Sequence, residues 1–170
     1  MTTLRLSKVA LVATIALFFT LVAFGNLTDY HSNEAFVRHI LAMDTIFPDS
    51  TLRWRAIPDA NMQTIAYWAI IGWQTLTAVV LWAGVVRLLG AIRGPGFAGA
   101  QPTAVLGLAM GFLLYAGGFV VVGGEWFAMW QSEEWNGQQT SFGFLTMIGI
   151  VLVVLLVPEQ ETRPSADGKG

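Results

Sequence analysis

The segment NLTDYHSNEAFVRHILAMDTIFPDSTLRWRAIPDAN, residues 26–61, decides the fold, because it separates one long apolar run from three others. It holds both histidines, five of the eleven acidic residues and three of the nine basic residues. Apolar residues make up 55% of the chain and charged residues only 12%, against ~25% charged in soluble domains. So few charges could not cover the surface of a soluble domain this size. The sequence therefore indicates membrane helices joined by short connections.

The four apolar runs predict an all-α membrane protein, an antiparallel bundle of four transmembrane helices. The expected spans are residues 9–25, 64–89, 102–123 and 140–157, within one membrane domain, residues 1–158. The polar tail, residues 159–170, is expected to be a disordered cytoplasmic segment. The first run could also be a signal peptide cleaved after the imperfect site Ala23-Phe24-Gly25, but the later runs favour a retained anchor.

Lysines and arginines set the expected orientation. The N-terminus, the turn at residues 90–101 with its flanking Arg87, and the tail together carry six, whereas the two long loops carry three. Both termini are therefore predicted to lie in the cytoplasm. The long loops, residues 26–61 and 124–139, are predicted to lie on the outer, periplasmic side.

The two long loops are expected to form a cap on that side. Residues 33–44 predict a short amphipathic helix, with Ser32 or Asn33 capping its start, and it is too short to span. Aromatic residues of the second loop fit an interfacial belt. Arginines of one loop could also pair with carboxylates of the other and clamp the cap, aided by cation–π contacts. The residues concerned are Arg38, Arg53, Arg55, Glu125, Glu133, Glu134, Trp126, Trp130 and Trp135.

Small and polar residues inside the spans point to helix contacts. Gly107, Gly111 and Gly118 share a face of the third span, where they could pack inside the bundle or against an oligomer or partner. Gln74 in the second span needs a hydrogen-bond partner in hydrocarbon, and Tyr115 is a candidate. The same two residues could hold a quinone or another lipid-soluble ligand. With no charged residue at mid-span, a proton-coupled transporter is disfavoured.

Other chemistry has little support in the sequence. His31 and His39 lie outside the spans, and their spacing is not that of a zinc motif, so loop hydrogen bonds are favoured over a metal site. The chain has no cysteine, and its net charge of −2 argues against a nucleic-acid partner. No nucleophile elbow or phosphate-binding loop is present. No cofactor or catalytic residue is predicted.

Two stretches carry a family resemblance. One begins with GNLTDY at residues 25–30 and continues to Trp54-Arg55; the other is GGEWF at residues 123–127 with MWQS at 129–132 and WNGQ at 135–138. With four apolar runs, they resemble a bacterial family known only as predicted small integral membrane proteins of unknown function. The resemblance implies a multi-pass protein of the bacterial inner membrane and supplies no activity.

Two function classes follow from these observations. The first is a non-catalytic accessory or scaffold subunit that docks on a larger inner-membrane complex, such as a respiratory complex, or forms a homo-oligomer. The second is a protein that binds a lipid-soluble ligand such as a quinone through its outer cap and Gln74 with Tyr115. A catalytic enzyme ranks third, because no nucleophile–base set is visible.

Overall fold

Four helices long and apolar enough to cross a membrane run through the computed structural model, which describes residues 2–158. No strand occurs in that part of the chain, and the predicted all-α membrane fold is confirmed. The helices are α1 Thr2–Thr28, α2 Tyr30–Ala42, α3 Ala60–Gly90, α4 Phe97–Leu113 and α5 Gln138–Leu156. A π-helix, Leu114–Trp126, continues α4, and single 3-10 turns occur at Arg53–Arg55 and Met129–Gln131. The predicted tail, residues 159–170, lies outside the described residues.

The helices overrun the predicted spans, most of all in α1, which covers Thr2–Thr28 in place of residues 9–25. Arg5 and Lys8, in the first turns of α1, do not interrupt the helix, because both side chains bind carbonyls at the ends of other helices. Lys8 is 1% exposed, and its Nζ donates to the carbonyls of Leu155 at 3.1 Å and Val157 at 2.6 Å. A cation is favourable at this position, the C-terminus of α5. Arg5 donates to the carbonyls of the turn that joins α3 to α4.

The first connection is mostly helical rather than a loop. Its amphipathic helix, α2, covers Tyr30–Ala42 instead of residues 33–44. Asp29 occupies the position before it, so the predicted cap at Ser32 or Asn33 is wrong, and the Ser32 hydroxyl donates to Asp29 Oδ1 from inside the helix. The helix ends at Ala42, and the next residue, Met43, has a left-handed φ of 51°. A kink at Asp29 thus separates α1 from α2, and α2 lies over the end of the bundle.

Glycines set the closest helix approaches. Gly84 of α3 lies against Ala104 of α4, where an added Cβ would sit 2.8 Å from the Ala104 backbone. Gly107 faces Leu81 of α3 in the same way, and Gly111 faces the ring of Phe19 of α1. Two members of the predicted glycine face therefore pack inside the bundle. The third, Gly118, is exposed and meets only Leu114 at ordinary contact distance.

Two tryptophans on the outside of α3 bind the neighbouring helices. The indole nitrogen of Trp73 donates to the carbonyl of Met110 at 3.0 Å, and that of Trp82 donates to the Thr20 hydroxyl at 3.0 Å. Hydrocarbon supplies no partner for an indole N–H, so these bonds hold α3 to α4 and to α1. Large apolar side chains such as Leu76, Val86 and Ile150 are exposed around the bundle, as expected of a surface that faces lipid.

Candidate functional site

The first connection, residues 29–59, and the second connection, residues 124–137 with the end of the π-helix included, pack against each other at the same end of the bundle. Met43 and Ile46 of the first form a buried cluster with Phe127 and Ala128 of the second. The hydroxyls of Thr45 and Ser132 lie 2.9 Å apart. Edge-to-face contacts join Phe47 to Trp130 and Trp54 to Trp126, with ring centroids 5.8 Å apart in each pair. The two segments therefore form one layer over the helix ends.

Arg55 links the two connections, but not through a carboxylate as expected. Its Nη1 donates to the backbone carbonyls of Glu125 at 3.4 Å and Trp126 at 3.2 Å. Its guanidinium carbon lies 4.8 Å from the centre of a Trp126 ring and 5.4 Å from that of Trp54. The Glu125 carboxylate instead accepts from Gln138. Arg55 therefore binds the backbone and contacts the aromatic faces of the second connection.

The other predicted clamp residues do not join the connections by ion pairs. Arg53 donates to carbonyls of Met43, Ile46 and Phe47 within its own connection. Arg38, Glu133 and Glu134 are exposed. Within residues 2–158, no arginine forms an ion pair with a carboxylate of the opposite connection. The carboxylates of the second connection are on exposed residues, and the backbone of residues 125–126 is what faces Arg55.

Replacing Arg55 with glutamine is expected to lower the free energy of unfolding by about 1–2 kcal/mol, through lost charged hydrogen bonds and a lost cation–π contact. Arg38→Gln, which removes an exposed arginine nearby, serves as the matched control and is expected to change little. Unfolding in a detergent titration measures both. Because the partner is backbone, Glu125→Arg should not rescue an Arg55→Glu variant. Full rescue by that charge swap would contradict the observed contact.

The two histidines lie in separate pairs. His31 Nδ1 lies 3.4 Å from Glu34, and His39 Nδ1 lies 2.8 Å from Asp44. The His39 ring also stacks on Trp135, with centroids 4.5 Å apart and planes 14° from parallel. In the described part of the chain, no three His, Asp or Glu side chains come close enough to hold a metal ion. The histidines here take part in hydrogen bonds and ring contacts of the layer.

A polar cavity of about 350 Å³ lies beneath α2, between the ends of all four spanning helices. Its floor and walls combine amides, hydroxyls and aromatic rings. Among residues 2–158, no charged side chain lines it. The lining residues are Val22, Asn26, Asn33, Phe36, Val37, Tyr67, Ile70, Gln74, Tyr115, Phe119, Asn136, Gly137, Thr140, Ser141 and Phe144.

The structure brings Gln74 and Tyr115 into this cavity, but it does not pair them with each other. Gln74 is 3% exposed, and its Oε1 accepts from Asn26 Nδ2 at 2.7 Å. Tyr67 donates to the backbone carbonyl of Asn26 at 3.2 Å. The Tyr115 hydroxyl and the Gln74 Nε2 have no hydrogen-bond partner among residues 2–158, although Tyr115 is only 4% exposed. Both residues line the cavity, and neither donor atom is sealed from solvent, so water or a ligand can reach them.

The π-helix presents two sets of side chains to the space under α2. Tyr115 and Phe119 face the polar cavity, whereas Leu114, Gly118 and Val122 face a second space. In a π-helix the backbone bond spans one more residue than in an α-helix, and such segments occur frequently at functional sites. The change from α4 to the π-helix begins at Leu114, directly before Tyr115.

This second space is an apolar cleft of about 300 Å³ between α2, α3 and the π-helix. Only apolar residues line it, including Ala66 and Ala69 of α3. Ala69, Gly118 and Val122 are exposed on the outer face of the bundle. Four residues line both the cleft and the polar cavity: Phe36, Val37, Ile70 and Phe119. The two spaces are neighbours separated by one wall.

Sequence reasoning singled out two cavity residues and missed Asn26, Asn33, Asn136, Thr140 and Ser141. Asn26 gave one readable signal, because it continues the buried stripe of α1 through Phe19 and Ala23 at spacings of four and three. That stripe places it on the face turned toward α3. The asparagines and hydroxyls of the other elements gave no such signal, since they meet only through the tertiary fold.

Comparison with protein families gives one match. The profile described as predicted small integral membrane protein (DUF2165) matches residues 4–158. Comparison with curated proteins gives no match, and comparison with solved structures gives none either. The matched region takes in nearly all of the described bundle, including both connections and the polar cavity. The chain therefore belongs to this family of predicted small integral membrane proteins.

Proposed function

We propose that the protein binds a lipid-soluble ligand with a neutral, carbonyl-bearing ring, such as a quinone, in the polar cavity. The observation that carries the proposal is the pair of unengaged donors, the Tyr115 hydroxyl and the Gln74 amide, on two helices that face the same space. Both donors can be reached from the cavity, so a ligand carbonyl would replace water at each of them. The net gain of such an exchange is about 0.5–1.5 kcal/mol for each hydrogen bond.

The composition of the cavity wall selects a neutral ligand. A phosphate, carboxylate or ammonium group would enter without a counter-charge, and burying an unpaired charge is strongly unfavourable. The amides and hydroxyls of the wall can instead donate hydrogen bonds to a carbonyl group of the ligand. This argument favours a quinone-type head group over a charged lipid head group.

Aromatic side chains favour a flat ring. Phe144 lies 4.9 Å and Phe119 5.5 Å from Tyr115, measured between ring centroids, and all three line the cavity. Rings that pack in offset or tilted arrangements gain contact energy beyond their buried area. A quinoid ring would find such faces on more than one side.

The proposal is tested by binding of a benzoquinone that carries a decyl chain to protein in lipid nanodiscs. Tyr115→Phe removes one donor and is expected to weaken binding roughly 5-fold, the equivalent of about 1 kcal/mol. Gln74→Leu should weaken binding by a similar factor. Tyr30→Phe, which removes a phenol outside the cavity, is the matched control. Absence of binding by the wild type, or equal loss in the control, would contradict the proposal.

A second candidate is the accessory subunit expected from the sequence, docked on a larger membrane complex or on another copy of the chain. The exposed aromatic rim of the two connections favours it: Trp54 is 71% exposed, Trp126 48% and Trp130 46%. Aromatic residues are enriched in protein interfaces. Mild-detergent purification with mass spectrometry of proteins and lipids separates the two candidates. Stoichiometric polypeptides would favour the subunit role, and extractable quinone would favour the ligand-binding role.

We further propose a bacterial inner-membrane location with both termini in the cytoplasm and the two connections in the periplasm, in keeping with the distribution of basic residues. The chain has no cysteine, so single cysteines report topology without background. In intact cells, His31→Cys and Trp130→Cys should react with a membrane-impermeant maleimide, whereas Arg93→Cys should react only after lysis. Labelling of positions 31 and 130 on opposite sides would refute this topology.

A further inference from the structure

We infer that the ligand is a single-chain amphiphile whose tail lies in the apolar cleft while its ring occupies the polar cavity. This inference rests on the proposed function and adds a second compartment to the site. Three observations carry it: the shared wall, the contrast in lining chemistry, and the openness of the cleft toward the bilayer. Together they place the ring of the ligand in the polar cavity and its tail in the apolar cleft.

The shared wall makes the two spaces parts of one site. Phe36 of α2, Ile70 of α3 and Phe119 of the π-helix line both. The rings of Phe36 and Phe119 lie 6.4 Å apart and 24° from parallel. They stand between the compartments as movable side chains rather than backbone. A molecule that spans the wall needs only rotations of these half-buried side chains and no movement of the backbone.

The lining of the two compartments differs as the two ends of an amphiphile differ. The cavity offers the free donors on Tyr115 and Gln74, whereas every residue of the cleft is apolar. A hydrocarbon chain that enters from the bilayer exchanges lipid contacts for contacts with these apolar side chains, so packing rather than removal from water would hold it there. A water-soluble ring without a chain would leave the cleft unused.

The cleft opens where a membrane-dissolved molecule would arrive. Ala69 of α3 and Gly118 of the π-helix are exposed on the bundle surface and small, so the gap between the two helices is not covered by side chains. Adding a Cβ at Gly118 meets only Leu114 at 3.8 Å, which leaves room beside the helix. At about 300 Å³ the cleft suits one chain rather than the two chains of a diacyl lipid.

The test compares two probes of the same ring, a benzoquinone without a chain and one with a decyl chain, on three proteins in the same nanodiscs. Ala66→Phe places a ring in the cleft. Ala83→Phe makes the same change on an exposed part of α3 outside both spaces and is the matched control. We expect Ala66→Phe to weaken binding of the decyl probe by 10-fold or more, roughly 1.4 kcal/mol, and to leave the chainless probe unchanged.

The outcomes separate this inference from the proposed function. If Ala66→Phe binds the decyl probe as tightly as Ala83→Phe does, the tail is not in the cleft and the inference fails while ring binding stands. Equal loss of both probes would show that the cleft is not a separate compartment and would also overturn the inference. If neither probe binds the wild type, the proposed function fails, and the inference fails with it.

Discussion

Replacing Gly84 with valine is expected to lower the free energy of unfolding by about 3 kcal/mol or more. A Cβ at this position would lie 2.8 Å from the backbone nitrogen and Cα of Ala104. Backbone atoms cannot rotate aside as a side chain can, so α3 and α4 would have to separate. That separation removes close packing, which is the main attraction between helices in lipid.

Gly72→Val provides the control for this change. Gly72 lies on the same helix, and an added Cβ there meets no heavy atom within 4 Å. Both variants replace glycine with valine in the same helix, so any change in helix propensity is shared. The difference between their free energies of unfolding therefore measures the packing where α3 crosses α4. Detergent-titration unfolding should separate them clearly. Equal stability of the two variants would mean that the α3–α4 crossing is not as close as described.

The second large effect is on ligand binding. Ser141→Phe is expected to weaken binding of the decyl benzoquinone roughly 100-fold, which corresponds to about 3 kcal/mol. A ring at the cavity wall would displace the head group, so the free energy of burying the head group would be lost. Ser141 is 3% exposed, lines the cavity, and donates to the carbonyl of Gly137. Because Ser141 lines the cavity, we expect a phenylalanine side chain there to occupy part of its volume.

Thr146→Phe is the matched control for the cavity-filling variant. Thr146 lies on the same helix and donates to the carbonyl four residues earlier, as Ser141 does, but it is exposed on the bundle surface. It should bind the probe as the wild type does. Thermal unfolding of both variants shows whether the fold is kept. A folded Ser141→Phe protein with unchanged affinity would place the ligand elsewhere.

The membrane fold was readable from the sequence because hydrocarbon imposes one pattern on every span. The helix ends were less readable, and α1 shows why. The apolar pattern places Arg5 and Lys8 outside the predicted span. Their long side chains nevertheless reach carbonyls of other helices, which cannot be known before the bundle is assembled. The π-helix at Leu114–Trp126 has no sequence signature, since its residues are as apolar as those of α4.

Only part of the candidate site could be predicted from the sequence, for a related reason. Gln74 and Tyr115 stand out because polar groups in a span demand a partner. Asn26 lies where the apolar run ends and falls in the predicted loop, so its only signal is that it continues the buried stripe of α1. Arg55 was expected to pair with a carboxylate, but the backbone of Glu125 and Trp126 faces it instead. Sequence identifies which residues need partners, and only the fold decides between side chain and backbone.

The central claim is that the polar cavity beneath α2 holds the ring of a lipid-soluble ligand. Photo-crosslinking with an azide-bearing decyl benzoquinone in nanodiscs, followed by mass spectrometry of the peptides, tests it most directly. Label is expected on the cavity-facing parts of α3 and the π-helix, near Gln74 and Tyr115, and excess unlabelled probe should prevent it. Label that resists competition, or that falls on lipid-facing positions such as Val86 and Ile150, would contradict the claim.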